Sequence, residues 1–232
     1  MFNETDNIKT FADIGGCFGF GANSMGYHIA KRQGFLPKIM VFELVSEFVN
    51  VGKVIFPHIQ FVESEFDHLK GDVNVFDLVT LFDVVEHVVD PEKLLQYVAA
   101  HSRYVMLKTP METSGDWRTN KPPAKIGENH PDGHINFFTP GNYEKLLDTC
   151  NLEIIEHRLI DTIVSTGARM ALVPETFKDT SPNKTLSIFN AKNIISSMLT
   201  RWLPFKLARK IVGGGEHICI CRSRLFDGNE NL

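Results

Sequence analysis

The sequence lacks the features that would place it in several large functional classes. It has no apolar run approaching the roughly 20 residues that cross a bilayer, and its N-terminus has no signal-peptide layout. Charge of one sign is missing too. With 24 basic residues against 28 acidic ones, the net charge of −4 gives no whole-surface attraction for nucleic acid. Cysteine is scarce: Cys17, Cys150, Cys219 and Cys221 are the four, and none forms a CxxC pair. Cys219 and Cys221 would share one face of a strand, but a metal site there needs partners that the sequence does not offer. The expectation is therefore a cytoplasmic protein with reduced thiols and no metal. What remains, 43% hydrophobic and 22% charged residues, is the composition of one globular domain over residues 1–232.

Strand-like and helix-like segments alternate from residue 10 to residue 160. KTFADIG, PKIMVFEL, HIQFVE, VFDLVTLFDV, RYVMLKTP and LEIIEHRLI read as strands, and HICICRS as a final one. GANSMGYHIAKRQG and SEFVNVGKVIF read as helices, the first ended by Gly34 and the second opened by Ser46. Asp90-Pro91 and Thr139-Pro140 each combine an N-cap residue with proline at the first helical position, and open PEKLLQYVAAH and PGNYEKLLDTC. Such alternation with short connections predicts an α/β fold, a parallel sheet covered by helices on both faces. Ligands in these folds bind beyond the carboxyl ends of the strands. That rule selects the loops after Asp13, Leu44, Glu63, Phe82 and Lys108.

Two regions break the pattern. Residues 109–138 form a long polar connection with Trp117, four prolines, His130 and His134. Lying at the ligand end of the sheet, it is expected to be a lid or substrate wall. Residues 161–215 form an insertion before the last strand. Between Thr180 and Gly215 it has no acidic residue and six basic ones, with Ile194, Ile195, Met198, Leu199 and Trp202 at helical spacing. The apolar face of 184–212 could pack on the domain or on a second subunit as a homodimer. It could instead lie on an anionic membrane surface or cover the acceptor site. It lacks the aromatic interleaving of a nucleic-acid reader.

The chemistry starts at DIGGCFG, residues 13–19. Gly15 and Gly19 bracket a tight turn where a ligand can approach the backbone, and the amides opening the next helix favour an anionic group. Glu43, at the end of the second strand, can accept both hydroxyls of a ribose and would repel a 2′-phosphate. The spacing does not follow GxGxxG, because GFGANS, starting at Gly19, has no third glycine.

DIGGCFG, Glu43 and FDLVTLFDVVEHVVDPEKLL together resemble a class I S-adenosylmethionine-dependent methyltransferase, as does HINFFTPGNYEKLLDTCNLEII. EHVVDP is more narrowly similar to the small-molecule and glycan branch, which includes ubiquinone-biosynthesis-type O-methyltransferases. The resemblance covers residues 10–160 and the last strand. It implies a Rossmann-like seven-stranded sheet, mostly parallel, whose antiparallel last strand slots between the fifth and sixth. It implies S-adenosyl-L-methionine as cofactor, with Asp13, Gly15 and Gly19 shaping the methionine pocket and Glu43 on the ribose. Leu44 would lie beside the adenine, Glu63 or Glu65 would reach its amino group, and Phe82 and Asp83 would line the path to the methyl. Cys17 stands where the family often has glycine, as a small residue facing the cofactor.

An acceptor oxygen benefits from a general base. His87, after the fourth strand, is the first candidate, and otherwise hydrogen-bonds Glu86 or a carbonyl to fix its loop. His134 is the second, and otherwise pins the lid to the sheet. Glu86 reads as structural. The expected function is methyl transfer to an oxygen or nitrogen of a small molecule or sugar precursor. The rivals are a non-catalytic module of the same fold and a nicotinamide-dependent oxidoreductase.

Overall fold

The computed structural model describes residues 7–66, 76–111, 133–160 and 216–226. The basic insertion at 161–215 and residues 112–132 of the predicted lid lie outside them. Seven strands form one sheet in the order β3-β2-β1-β4-β5-β7-β6. They are β1 (Thr10–Ile14), β2 (Lys38–Glu43), β3 (Gln60–Glu63), β4 (Phe76–Phe82), β5 (Ser102–Pro110), β6 (Leu152–Ile160) and β7 (Glu216–Ser223). β1 to β5 pair in parallel, while β7 runs antiparallel to both β5 and β6, between which it lies. The predicted position of the last strand is the observed one.

Strand periodicity sorts the core into two layers. Phe11, Ile39, Val41, Leu78 and Tyr104 point to one face, where they meet Ala22 and Ile29 of α1 (Phe20–Gln33) and Val49 of α2 (Ser46–Ile55). Their neighbours Ala12, Ile14, Met40, Phe42, Val79, Leu81, Val105 and Leu107 point to the other face. There they meet Leu95 and Val98 of α3 (Pro91–Ala100), with Tyr143 and Leu147 of α4 (Pro140–Thr149). Strands buried on both faces have to be near-continuously apolar, as VFDLVTLF is.

Both Pro-initiated helices start where their signals predict. Asp90 accepts from the Lys93 amide at 2.9 Å, and Thr139 and Asn142 form a reciprocal capping box. The Ser46 signal works differently: Val45 is the cap, and the Ser46 hydroxyl donates to Glu63 on β3 instead. No helix among the described residues is long and apolar enough to cross a membrane. The chain winds from β1 outward to β3, then returns to β4 on the other side of β1. The switch point of the sheet therefore lies between β1 and β4, and a crevice opens beyond their carboxyl ends.

Candidate functional site

A cavity of about 500 Å³ lies beyond the carboxyl ends of β1–β4. Gly15 forms its wall after β1, Glu43 and Leu44 after β2, Glu65 and Phe66 after β3, and His87 and Val88 after β4, with Lys93 and Leu94 of α3 closing it. Five residues expected from the sequence, Gly15, Glu43, Leu44, Glu65 and His87, thus meet on one cavity.

The turn after β1 is held in an unusual shape. Gly15, Cys17 and Gly19 all have positive φ, at 68°, 48° and 84°. Glycine adopts this conformation freely, and Cys17 does so against its own Cβ. A Cβ on Gly15 would stand 2.9 Å from Val84 Cγ2, and one on Gly19 would stand 2.6 Å from Phe61 Cζ. Cys17 is exposed on the turn, and the partial desolvation of its thiol, followed by the charges of Glu43 and Asp13, pushes its pKa up.

Glu43 ties this turn to β2. Its Oε2 accepts the Cys17 amide at 3.0 Å, and its Oε1 accepts the Leu44 and Val45 amides at 2.8 and 2.9 Å. A carboxylate offers about four acceptor sites, so capacity for a ligand hydroxyl remains. Asp13 sits beneath the turn, buried, and accepts from the Thr80 hydroxyl. Desolvation raises its pKa to about 6, with the Thr80 bond opposing the rise and the Glu43 charge adding to it.

The other expected residues surround the cavity without lining it. Glu63 accepts from Ser46, and its neighbour Glu65 takes the cavity position. Phe82 ends β4. Asp83, at φ 57°, pairs with Lys108, which also reaches Glu216 at 3.2 Å. Burial works against the Lys108 charge, but the bonds and charges of these two carboxylates outweigh it and raise the pKa. His134 lies 4.8 Å from His87, ring centroid to ring centroid.

The end of the predicted lid, residues 133–138, is laced to the loop after β4. Ile135 and Asn136 amides donate to the Glu86 carbonyl at 2.9 and 3.0 Å, and the Asn136 side chain donates to Val85 and Val88 carbonyls. His87 Nδ1 is 3.3 Å from the Gly133 carbonyl. Sequence reasoning took Glu86 as structural and gave the Lys108 side chain no role. Glu86 is 1% exposed, and neither of its carboxylate oxygens has a hydrogen-bond partner among the described residues. Burial pushes its pKa to about 7. Its own backbone amide pulls the other way, Asp83 adds to the rise, and His134 and Lys108 oppose it.

Comparison with known proteins gives this geometry a family. A model of the methyltransferase domain matches residues 13–157, more than half of the chain, and the protein belongs to that family. No protein of curated function matches the sequence. Solved structures share the fold at low identity. The [4+2]-cyclase SpnF superposes with a TM-score of 0.60 at 12% identity, over 94% of this chain and 76% of the cyclase. A putative sarcosine dimethylglycine methyltransferase from Galdieria sulphuraria gives 0.60 at 12%, over 93% and 79%. Phosphoethanolamine N-methyltransferase 2 of Haemonchus contortus, in complex with S-adenosyl-L-methionine, gives 0.57 at 14%, over 94% and 49%.

Proposed function

We propose that the protein transfers a methyl group from S-adenosyl-L-methionine to an oxygen or nitrogen of a small molecule or sugar precursor. The observation that carries this reading is the cavity at the switch point, bounded by a left-handed turn after β1 and a carboxylate at the end of β2. Its volume is that of a small-molecule site. Family membership and the cofactor in the Haemonchus structure support it further.

When bound, the cofactor supplies an activated methyl on a sulfonium. The turn at Gly15–Gly19 faces the methionine end, with Gly15 packed so closely on Val84 that a Cβ there would crowd it. Glu43 uses its remaining acceptor capacity on the ribose, Leu44 packs beside the adenine, and Glu65 receives the amino group in place of Glu63. Asp13 and Cys17 shape the turn from below and above. Phe82 and Asp83 hold the end of β4, with Asp83 anchored by Lys108. The chain's chief contribution is alignment and exclusion of water, which together supply several kcal/mol. His87 lies where it can take the proton that an acceptor hydroxyl loses as its oxygen bonds the methyl carbon. His134 stands behind it.

The likeness to a [4+2]-cyclase favours a second reading, in which the fold holds a ligand without transferring a methyl. Incubation with methyl-labelled S-adenosylmethionine and a panel of phenols, amines, hydroxy acids and nucleotide sugars separates the two. Label in at least one acceptor, lost on His87→Ala for an oxygen acceptor, is the expected result. Tight binding of the demethylated product with no labelled acceptor would favour the second reading. Selective binding of NAD would overturn both in favour of an oxidoreductase.

A further inference from the structure

A second constellation lies against the cavity, and the methyl-transfer reading uses only one of its members, His87. Glu86, His87 and His134 each offer one ligand atom, and these atoms all lie within 4.8 Å of one another. Two come from the loop after β4 and one from the strap at 133–138. The amides of Ile135 and Asn136, bonded to the Glu86 carbonyl, fix the two segments together. The sequence reading weighed metal binding only at the cysteines and expected none; His134 is 47 residues from His87.

The Glu86 carboxylate is the unusual member. A buried carboxylate without a partner is costly, and this one is almost fully buried, with neither oxygen hydrogen-bonded among the described residues. Protonation alone does not resolve the problem, since a neutral carboxyl still has an O–H in need of an acceptor. A cation resolves it directly. His87 is prepared to help: with Nδ1 facing the Gly133 carbonyl, a proton on Nδ1 leaves the Nε2 lone pair free for a metal. His87 also lines the cavity, so an ion at this point is reachable from it.

We propose that Glu86, His87 and His134 bind a divalent first-row transition-metal ion at the edge of the cavity. Two imidazoles and one carboxylate are a donor set that such ions accept while keeping positions open for other ligands. Metal–nitrogen bonds of about 2.0–2.1 Å place donors roughly 3–3.5 Å apart. The three groups therefore draw together on binding, with the exposed His87 side chain the freest to move. Resting on the methyl-transfer reading, a bound ion would replace His87 as the activating group, since it occupies the Nε2 lone pair: its open positions would hold the acceptor oxygen and lower its pKa, which selects oxygen over nitrogen acceptors.

The test uses the full chain stripped by a chelator and dialysed. Mn²⁺ is titrated with the free-ion EPR signal as readout, and Zn²⁺ by calorimetry. One equivalent of ion is expected, with Kd raised at least tenfold by Glu86→Gln and by His134→Ala. S-adenosylhomocysteine binding to Glu86→Gln should stay within twofold of wild type. No binding of either ion, or binding that neither variant weakens, would overturn the site. Should Glu86→Gln fail to fold, judged by its thermal melt, His134→Ala on the strap decides alone. Metal binding without S-adenosylhomocysteine binding would leave the site standing and remove the methyl-transfer reading. The reverse pattern would remove only the metal.

Discussion

Asp13 shows at the residue scale how the site is held at a cost to stability. Its carboxyl titrates at about 6 in the folded chain against 3.8 when free, because burial penalises the charge. Between those values the folded state binds more protons than the unfolded state, so stability falls as pH rises from about 4 to about 6 and stays lowered above that. The difference corresponds to about 3 kcal/mol. Asp13→Asn keeps an oxygen for the Thr80 hydroxyl and removes the ionisation. Urea unfolding should give equal stability to both proteins near pH 4 and a more stable variant at pH 7. Parallel pH profiles would show that Asp13 does not carry this cost. Groups with perturbed titration gather at functional sites, and Asp13 was legible for that role as the acid before the glycines. Cys17 was legible in kind: it occupies a left-handed position at φ 48°, where glycine is the easier residue. Glu86 was not. In the string EHVVDP nothing distinguishes a carboxylate facing solvent from one sealed by a strap whose amides arrive 49 residues later.

At the element scale, boundaries and order were readable because each carries a local signal. Strands β1, β2, β4 and β5 are apolar on both faces, and Asp90-Pro91 and Thr139-Pro140 mark helix starts through bonds made within one turn. Ser46 opens α2 as expected, but its hydroxyl is recruited by Glu63, a partner set by the sheet and not by the helix. Close packing between elements was equally invisible. Gly52 of α2 faces Phe61 of β3, and a Cβ there would lie 2.4 Å from two of the ring carbons and 3.1 Å from the Phe18 carbonyl of the cofactor turn. Gly52→Ala should therefore cost about 1–3 kcal/mol through overpacking, despite alanine's higher helix propensity. Thermal melts should show a lower Tm for the variant. A Tm equal to or above that of wild type would contradict the packing between α2, β3 and the turn.

For the whole molecule, the order β3-β2-β1-β4-β5-β7-β6 puts the switch point between β1 and β4, and the cavity opens there. Fold and family come from this arrangement and from the match over residues 13–157. The reaction does not follow from the fold, since a [4+2]-cyclase shares it at a TM-score of 0.60. The acceptor was not legible either, because the polar connection and the basic insertion have no local pattern that names a ligand. The central claim is that the turn after β1 and Glu43 hold S-adenosylmethionine. A crystal structure with S-adenosylhomocysteine bound tests it most directly. The account predicts the amino-acid end against the Gly15–Gly19 turn, a ribose hydroxyl on Glu43, adenine between Leu44 and Glu65, and the sulfur on the His87 side. A ligand bound elsewhere, or bound here without contact to Glu43, would contradict it.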